Sequence, residues 1–222
     1  MVRSATGLTY HCAPTPVLVA SDNRLYRAFE MEGNAVAVLM RTKAAVGPGT
    51  DLLASASWEL SGSLKFNQAT MVPPSWVLPG VHFGWQEGNA VEGPDGEIYD
   101  ILRIDGQNNR THNKAAVVRL DMSTAPTGGG GGGGVFGSLV FDSMIDFPST
   151  ESKFTIRRER VGGGRYYALT TDVTPVAVAQ NTVYARNHLV LTVSDNLRNW
   201  TTCDTLLKDD TGFTPLECAY GF

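Results

Sequence analysis

Long apolar runs are missing from this sequence, and so is any sustained helical periodicity. No stretch reaches the eighteen or so continuous apolar residues that a membrane-crossing helix needs, and the N-terminus lacks the charged-then-apolar layout of a signal peptide. The expectation is a soluble chain without a membrane span. Cysteine is scarce: Cys12, Cys203 and Cys218 are far apart and show no CxxC spacing, which argues against thiolate metal or redox sites and reads as ordinary buried thiols. Basic blocks are absent too. The 18 Lys and Arg against 22 Asp and Glu are spread along the chain, so no segment is fitted to neutralise phosphates and nucleic acid is not expected as a partner.

Other absences remove whole reaction classes. There is no Gly-x-Ser-x-Gly elbow for Ser-His-Asp chemistry. No cluster of carboxylates points to a bound metal, and His11, His82, His112 and His188 show no ligand spacing. No metal and no cofactor is therefore expected. Two Asn-x-Thr tripeptides, at Asn109 and Asn199, fit the N-glycosylation pattern and matter only in a secretory pathway; that leans weakly towards a secreted protein and leaves the compartment open.

Glycine, by contrast, is plentiful. Seven stand in a row at Gly128–Gly134, a run that cannot pack and is expected to form a flexible surface loop between the second and third strands of the middle module described next. A GxGxxG match inside it opens no helix and carries no phosphate-binding reading.

Short alternating or β-branched runs bounded by Gly, Asn, Asp and Pro recur throughout, which argues an all-β chain. One module appears three times. Pro16–Ala20, a Ser21-Asp22-Asn23-Arg24 turn and Leu25–Phe29 form the first hairpin. Asn89–Glu92, a Gly93-Pro94-Asp95-Gly96 turn and Ile98–Arg103 form the second; Phe154–Arg157, a turn ending in Gly162-Gly163-Gly164 and Tyr166–Leu169 form the third. A third apolar strand follows each hairpin at Ala35–Met40, Ala115–Leu120 and Leu189–Val193. A fourth follows at Trp58–Leu60, Leu139–Phe141 and Trp200–Leu207. Four antiparallel strands per module make a propeller blade. The expected architecture is an incomplete β-propeller in one domain, with blades near residues 8–66, 83–147 and 152–210. Tyr220-Gly221-Phe222 reads as the start of a further blade at 219–222. Rings are typically built from four to eight blades, so three read as a fragment.

Three stretches carry a family likeness: Trp85–Val91 with Pro94-Asp95-Gly96 and Ile101-Leu102-Arg103; Lys153–Arg157; and Arg186–Leu189 with Ser194–Trp200. In order and spacing they resemble bacterial-type sialidase-like propeller proteins over nearly the whole chain. Ser194-Asp195-Asn196-Leu197-Arg198-Asn199-Trp200 is similar to a degenerate Asp-box, whose Asp accepts backbone N–H groups in a turn while its Trp packs beneath; the usual glycine is missing here. The resemblance implies a five- or six-bladed parent with a carbohydrate pocket where the inner strands converge, and hydrolysis of terminal sugars on glycans. A non-catalytic carbohydrate-binding or scaffold propeller is the alternative.

Glycoside hydrolysis needs a carboxylic acid near the leaving oxygen and a second group across the sugar ring. Glu87, just before the inner strand of the second module, is the candidate acid/base. Trp85 could stack on a sugar face and Asn89 could bond a hydroxyl; the alternative is that Trp85 packs the blade edge and Glu87 pairs with a neighbouring cation. Lys153 and Arg157 lie at i and i+4 on one face of the third inner strand. Arg27 and Arg103 lie on second strands. If the sugar carries a carboxylate, guanidinium groups should grip it, and the nearest analogues of the arginines that do so in sialidases are Arg27 and Arg157, with a surface salt bridge as the alternative role for each arginine. His11 leads directly into the first inner strand.

Overall fold

A computed structural model describes residues 2–3, 9–10, 15–31, 36–77, 83–106, 112–123, 135–160, 162, 164–172 and 188–208. A short ladder pairs β1 (Val2–Arg3) with β2 (Thr9–Tyr10). The rest of the described chain is organised as three antiparallel meanders of four strands. The first comprises β3 (Leu18–Val19), β4 (Leu25–Met31), β5 (Val36–Thr42) and β6 (Trp58–Gly62), with β7 (Leu64–Lys65) on the far end of β5. The second runs through β8 (Gly84–Glu92), β9 (Ile98–Asp105), β10 (Lys114–Asp121) and β11 (Val135–Asp146). The third runs through β12 (Thr155–Arg158), β13 (Tyr166–Thr171), β14 (His188–Ser194) and β15 (Thr201–Lys208). The all-β reading and the three strand quartets are therefore observed.

The repeat extends to single atoms. In the first hairpin Asp22 accepts the Arg24 N–H at 2.9 Å and the Tyr26 hydroxyl at 3.0 Å. In the second, Asp95 accepts the Glu97 N–H at 3.1 Å and the Tyr99 hydroxyl at 2.7 Å. One carboxylate thus closes each turn and ties it to the returning strand. Partial burial works against the charge at Asp22 and Asp95, but these donors outweigh it and hold both carboxyls below their ordinary value. Burial and the facing carboxylate push Tyr99 up to about 12.

Two cores lie between the meanders. The first packs Tyr26, Ala28, Ala37 and Leu39 against Trp85, Leu102, Ile104, Val118 and Leu120; the second packs Tyr99, Ile101, Val117 and Phe147 against Phe154, Ile156, Tyr166 and Leu197. The middle meander is covered on both faces, which is why β9 and β10 read as nearly unbroken apolar runs instead of alternating ones.

Four features depart from the sequence reading. The outer strands β6 and β11 pair in parallel, Val135 with Leu60 and Ser138 with Gly62, a bond the strand pattern did not announce, so the first two quartets are joined into one nine-stranded sheet. Two outer edges side by side satisfy each other's free N–H and C=O groups. The glycine run falls between β10 and β11, the third and fourth strands of the middle meander, not the second and third. Cys203 is exposed on β15 instead of buried, because all eight residues of that edge strand face solvent. In the 194–200 turn it is Asn196, not Asp195, that accepts the Arg198 and Asn199 N–H groups, both at 2.9 Å, while Leu197 takes the positive φ of 62° in place of a glycine. Trp200 does pack as expected, its ring 5.0 Å from that of Phe147. Cys12, Cys218, Asn109, His82 and the 219–222 segment lie outside the described residues.

Candidate functional site

The inner strand β8 contains one extra residue relative to its partner. Gln86 pairs with Arg103 and Asn89 with Ile101, so three steps on β8 match two on β9, and Glu87 and Gly88 form a bulge. The insertion switches side-chain parity. Both Trp85 and Ala90 face the first core, which a regular strand would forbid, and Glu87 is turned away from it with a φ of 50°. Glu87 thus lies within the inner strand, not ahead of it.

Groups from all three meanders meet at this bulge. The Glu87 carboxylate lies 2.9 Å from Arg103 Nε on β9 and 3.2 Å from Lys153 Nζ at the start of the third meander. The Arg103 contact is an ion pair without hydrogen-bond alignment, since neither Glu87 Oε2 nor Arg103 Nε has a hydrogen-bond partner among the described residues. Arg103 also donates to the Glu151 carbonyl at 2.6 Å and to Gln86 Oε1, and Gln86 in turn donates to Asp105 at 3.0 Å. From the first meander, Glu30 on β4 accepts the Gly88 N–H at 2.8 Å.

Glycine at position 88 is required by its neighbour. A Cβ there would overlap the carboxyl of Asp100, its Cγ 2.7 Å away. Asp100 is completely buried, and burial, with Glu30 nearby, drives its carboxyl well above the ordinary range. Burial also raises Glu30; the Glu87 charge adds to this, while the Gly88 and Glu87 N–H groups and Arg103 oppose it.

The other expected site residues divide by place. Arg103 and Lys153 join Glu87. Trp85 does not offer a sugar-stacking face: it is fully buried, edge-on to Phe66 with ring centroids 5.0 Å apart. Asn89 does not reach a ligand either. It is buried and clamps β8 to β12, donating to the Phe154 carbonyl at 3.2 Å and accepting from the Ile156 N–H at 3.1 Å. Arg27 is bound to Thr15 Oγ1 at 3.3 Å. Arg157 lies on β12 while Lys153 precedes that strand, and four residues of extended chain would set the two about 13 Å apart. Arg157 lines a different cleft of about 460 Å³, with Ser21, Glu92, Arg158 and Arg160 at the hairpin ends of the three inner strands. His11 lies outside the described residues. Among those residues no group of three His, Cys, Asp or Glu is placed to hold a metal ion, and no helix is long and apolar enough to cross a membrane.

Sequence reasoning passed over Glu30 and Asp100. The signal for Asp100 was present in Ile98-Tyr99-Asp100-Ile101-Leu102, an acid inside a strand that is otherwise hydrocarbon on the same face. Glu30 sits between Phe29 and Met31 and has no comparable mark.

No known family profile matches the chain, and no curated protein matches it. Solved structures that resemble it include a β-1,3-galactosidase of glycoside hydrolase family 43 bound to galactodeoxynojirimycin, at 14% identity and a TM-score of 0.43, covering 84% of this chain and 55% of that one. An α-L-arabinofuranosidase from Clostridium thermocellum matches at 15% identity and a TM-score of 0.47, covering 86% and 50%. An exo-β-1,3-galactanase from the same organism matches at 15% and 0.44, covering 85% and 34%. The chain spans about a third to just over half of the length of these structures.

Proposed function

We propose that this chain is part of a glycan-directed β-propeller that hydrolyses terminal sugars, with Glu87 as its working carboxylate. The observation that carries the reading is the bulge in β8, where Glu30, Glu87 with Arg103, and Lys153 converge from three successive meanders. The four groups are distant in sequence: Glu87 comes from the inner strand β8, Glu30 and Arg103 from the second strands β4 and β9, and Lys153 from just ahead of β12. Glu87 keeps partial exposure, with 18% of its side chain accessible, so a ligand can reach it.

The sialidase-like form of the proposal asks for cations that can grip a sugar carboxylate. Arg103 and Lys153 would serve, with the sugar's carboxylate exchanging for Glu87 as their partner. Arg27 and Arg157 lie elsewhere and do not complete an arginine clamp at the bulge.

The non-catalytic reading is favoured by a specific observation of its own. Both Glu87 oxygens are ion-paired, and Trp85 and Asn89 are committed to packing and bridging. Assaying the 222-residue protein and its Glu87→Gln variant on aryl pyranosides, furanosides and a sialoside separates the two. Hydrolysis is expected on at least one substrate, falling by roughly 10²–10⁴-fold in the variant. No turnover on any substrate, together with retained binding to immobilised glycans, would replace the hydrolase by the binder.

A further inference from the structure

Asp100 is an acid in a place built for hydrocarbon. It lies in β9 between Ile98 and Leu102, on the face turned to the first core, with no accessible surface. Ala90 and Val118 stand opposite it on the flanking strands, and neither side chain can donate a hydrogen bond. Both Asp100 oxygens lack a hydrogen-bond partner among the described residues. An isolated carboxylate in such surroundings costs far more than a neutral acid, so the group keeps its proton.

Its charged surroundings are one-sided. β4 presents Glu30; β5 presents Ala37 and Leu39; β10 presents Ala116, Val118 and Leu120 on this face, with Arg119 on the other. From β8 the backbone of Gly88 abuts the carboxyl, while the Glu87 side chain is turned to Arg103 and Lys153. Gly88 is therefore held between a neutral acid, Asp100, and a carboxylate, Glu30, which accepts its N–H. Gly88 is also the second residue of the bulge that aims Glu87.

We propose that Asp100 is a positioning residue for Glu87: as the neutral acid it lets Gly88 sit close, and its ionisation would set a second negative charge beside Glu30, open the bulge and break the pairing of Glu87 with Arg103 and Lys153. This rests on the reading of Glu87 as the working carboxylate. Burial, reinforced by Glu30, raises the Asp100 carboxyl far enough to keep it neutral well above the ordinary carboxylate range.

The test is a carboxyl and side-chain NMR titration of the isotope-labelled 222-residue protein across about pH 4–9. The Asp100 carboxyl should stay neutral through the range where free aspartates ionise. Its later step should be matched, at the same pH, by shifts of the Glu87 carboxyl and the Lys153 side chain. In Asp100→Asn that joint step should vanish from the Glu87 and Lys153 signals. A purely structural Asp100 would leave those two signals flat through its titration, and that result, or an Asp100 already ionised by about pH 5, overturns the proposal. If Asp100→Asn does not fold, Glu30→Gln takes its place: removal of the neighbouring charge should move the joint step to lower pH, and an unmoved step counts against the coupling. No signal depends on turnover, so an inactive protein would count only against the hydrolase reading.

Discussion

At the scale of single residues, the bulge rests on the lack of a side chain at position 88. Gly88→Ala would drive a methyl group into the carboxyl of Asp100, which is itself completely buried. The expected cost is about 1–3 kcal/mol in denaturant melts. Combining it with Asp100→Ala should cost less than the sum of the two single changes, because the second opens space for the first. The hairpin aspartates make a different prediction, one that depends on pH. Asp95 is held below its ordinary value in the folded protein, so its contribution is in place above about pH 3.8 and is lost as pH falls through the lower folded value. Asp95→Ala is expected to cost about 1 kcal/mol near neutrality and to approach the wild type in strong acid, as read by melts at the two pH values.

At the scale of elements, the connection between β8 and β12 is made by a side chain, since no backbone ladder joins these inner strands. Asn89 substitutes for it, one amide serving a carbonyl and an N–H of the next meander. Asn89→Ala leaves both backbone groups buried without a partner and should cost roughly 2–4 kcal/mol, while Asn89→Asp, which keeps only the acceptor, should remain destabilised as well. Hydrogen exchange offers a second check at this scale. β15 is exposed along its whole length and paired on one side only, whereas β9 and β10 are flanked by strands and covered on both faces. Amides of β15 are expected to exchange well before those of β9 and β10; uniform protection would contradict this ordering.

For the molecule as a whole, Asp100 exacts a cost in stability that grows with pH. Its folded value is raised, so the folded state holds a proton that the unfolded chain releases; stability is fully present below about pH 3.8 and declines as pH rises through the window up to the folded value. Asp100→Asn removes that decline. The variant's melting temperature should gain on the wild type's between acid and neutral pH, and parallel curves for the two proteins would refute the raised value. A fold that keeps an acid at this cost beside the residues of its candidate site behaves as functional sites commonly do, with perturbed groups gathered where chemistry takes place.

Much of the architecture was legible along the chain because strands and tight turns are local. Alternation, β-branched runs and the Asp22 and Asp95 turns marked three quartets of strands, and the structure repeats the same carboxylate-to-tyrosine bond in two of them. Glu87, Arg103 and Lys153 were legible too, as polar residues on or beside inner strands. What the polypeptide order did not contain was the bulge. An extra residue is defined only against the partner strand, so the turning of Glu87 and the burial of Trp85 and Asn89 waited on the pairing of β8 with β9 and its packing against neighbouring meanders. The parallel bond between β6 and β11 belongs to the same class, joining edges more than seventy residues apart. Local propensity and turn chemistry set which strands exist; which side chains meet between them, and which acid is stripped of water, was decided by long-range packing, because burial is a property of the assembled layers and of no segment alone.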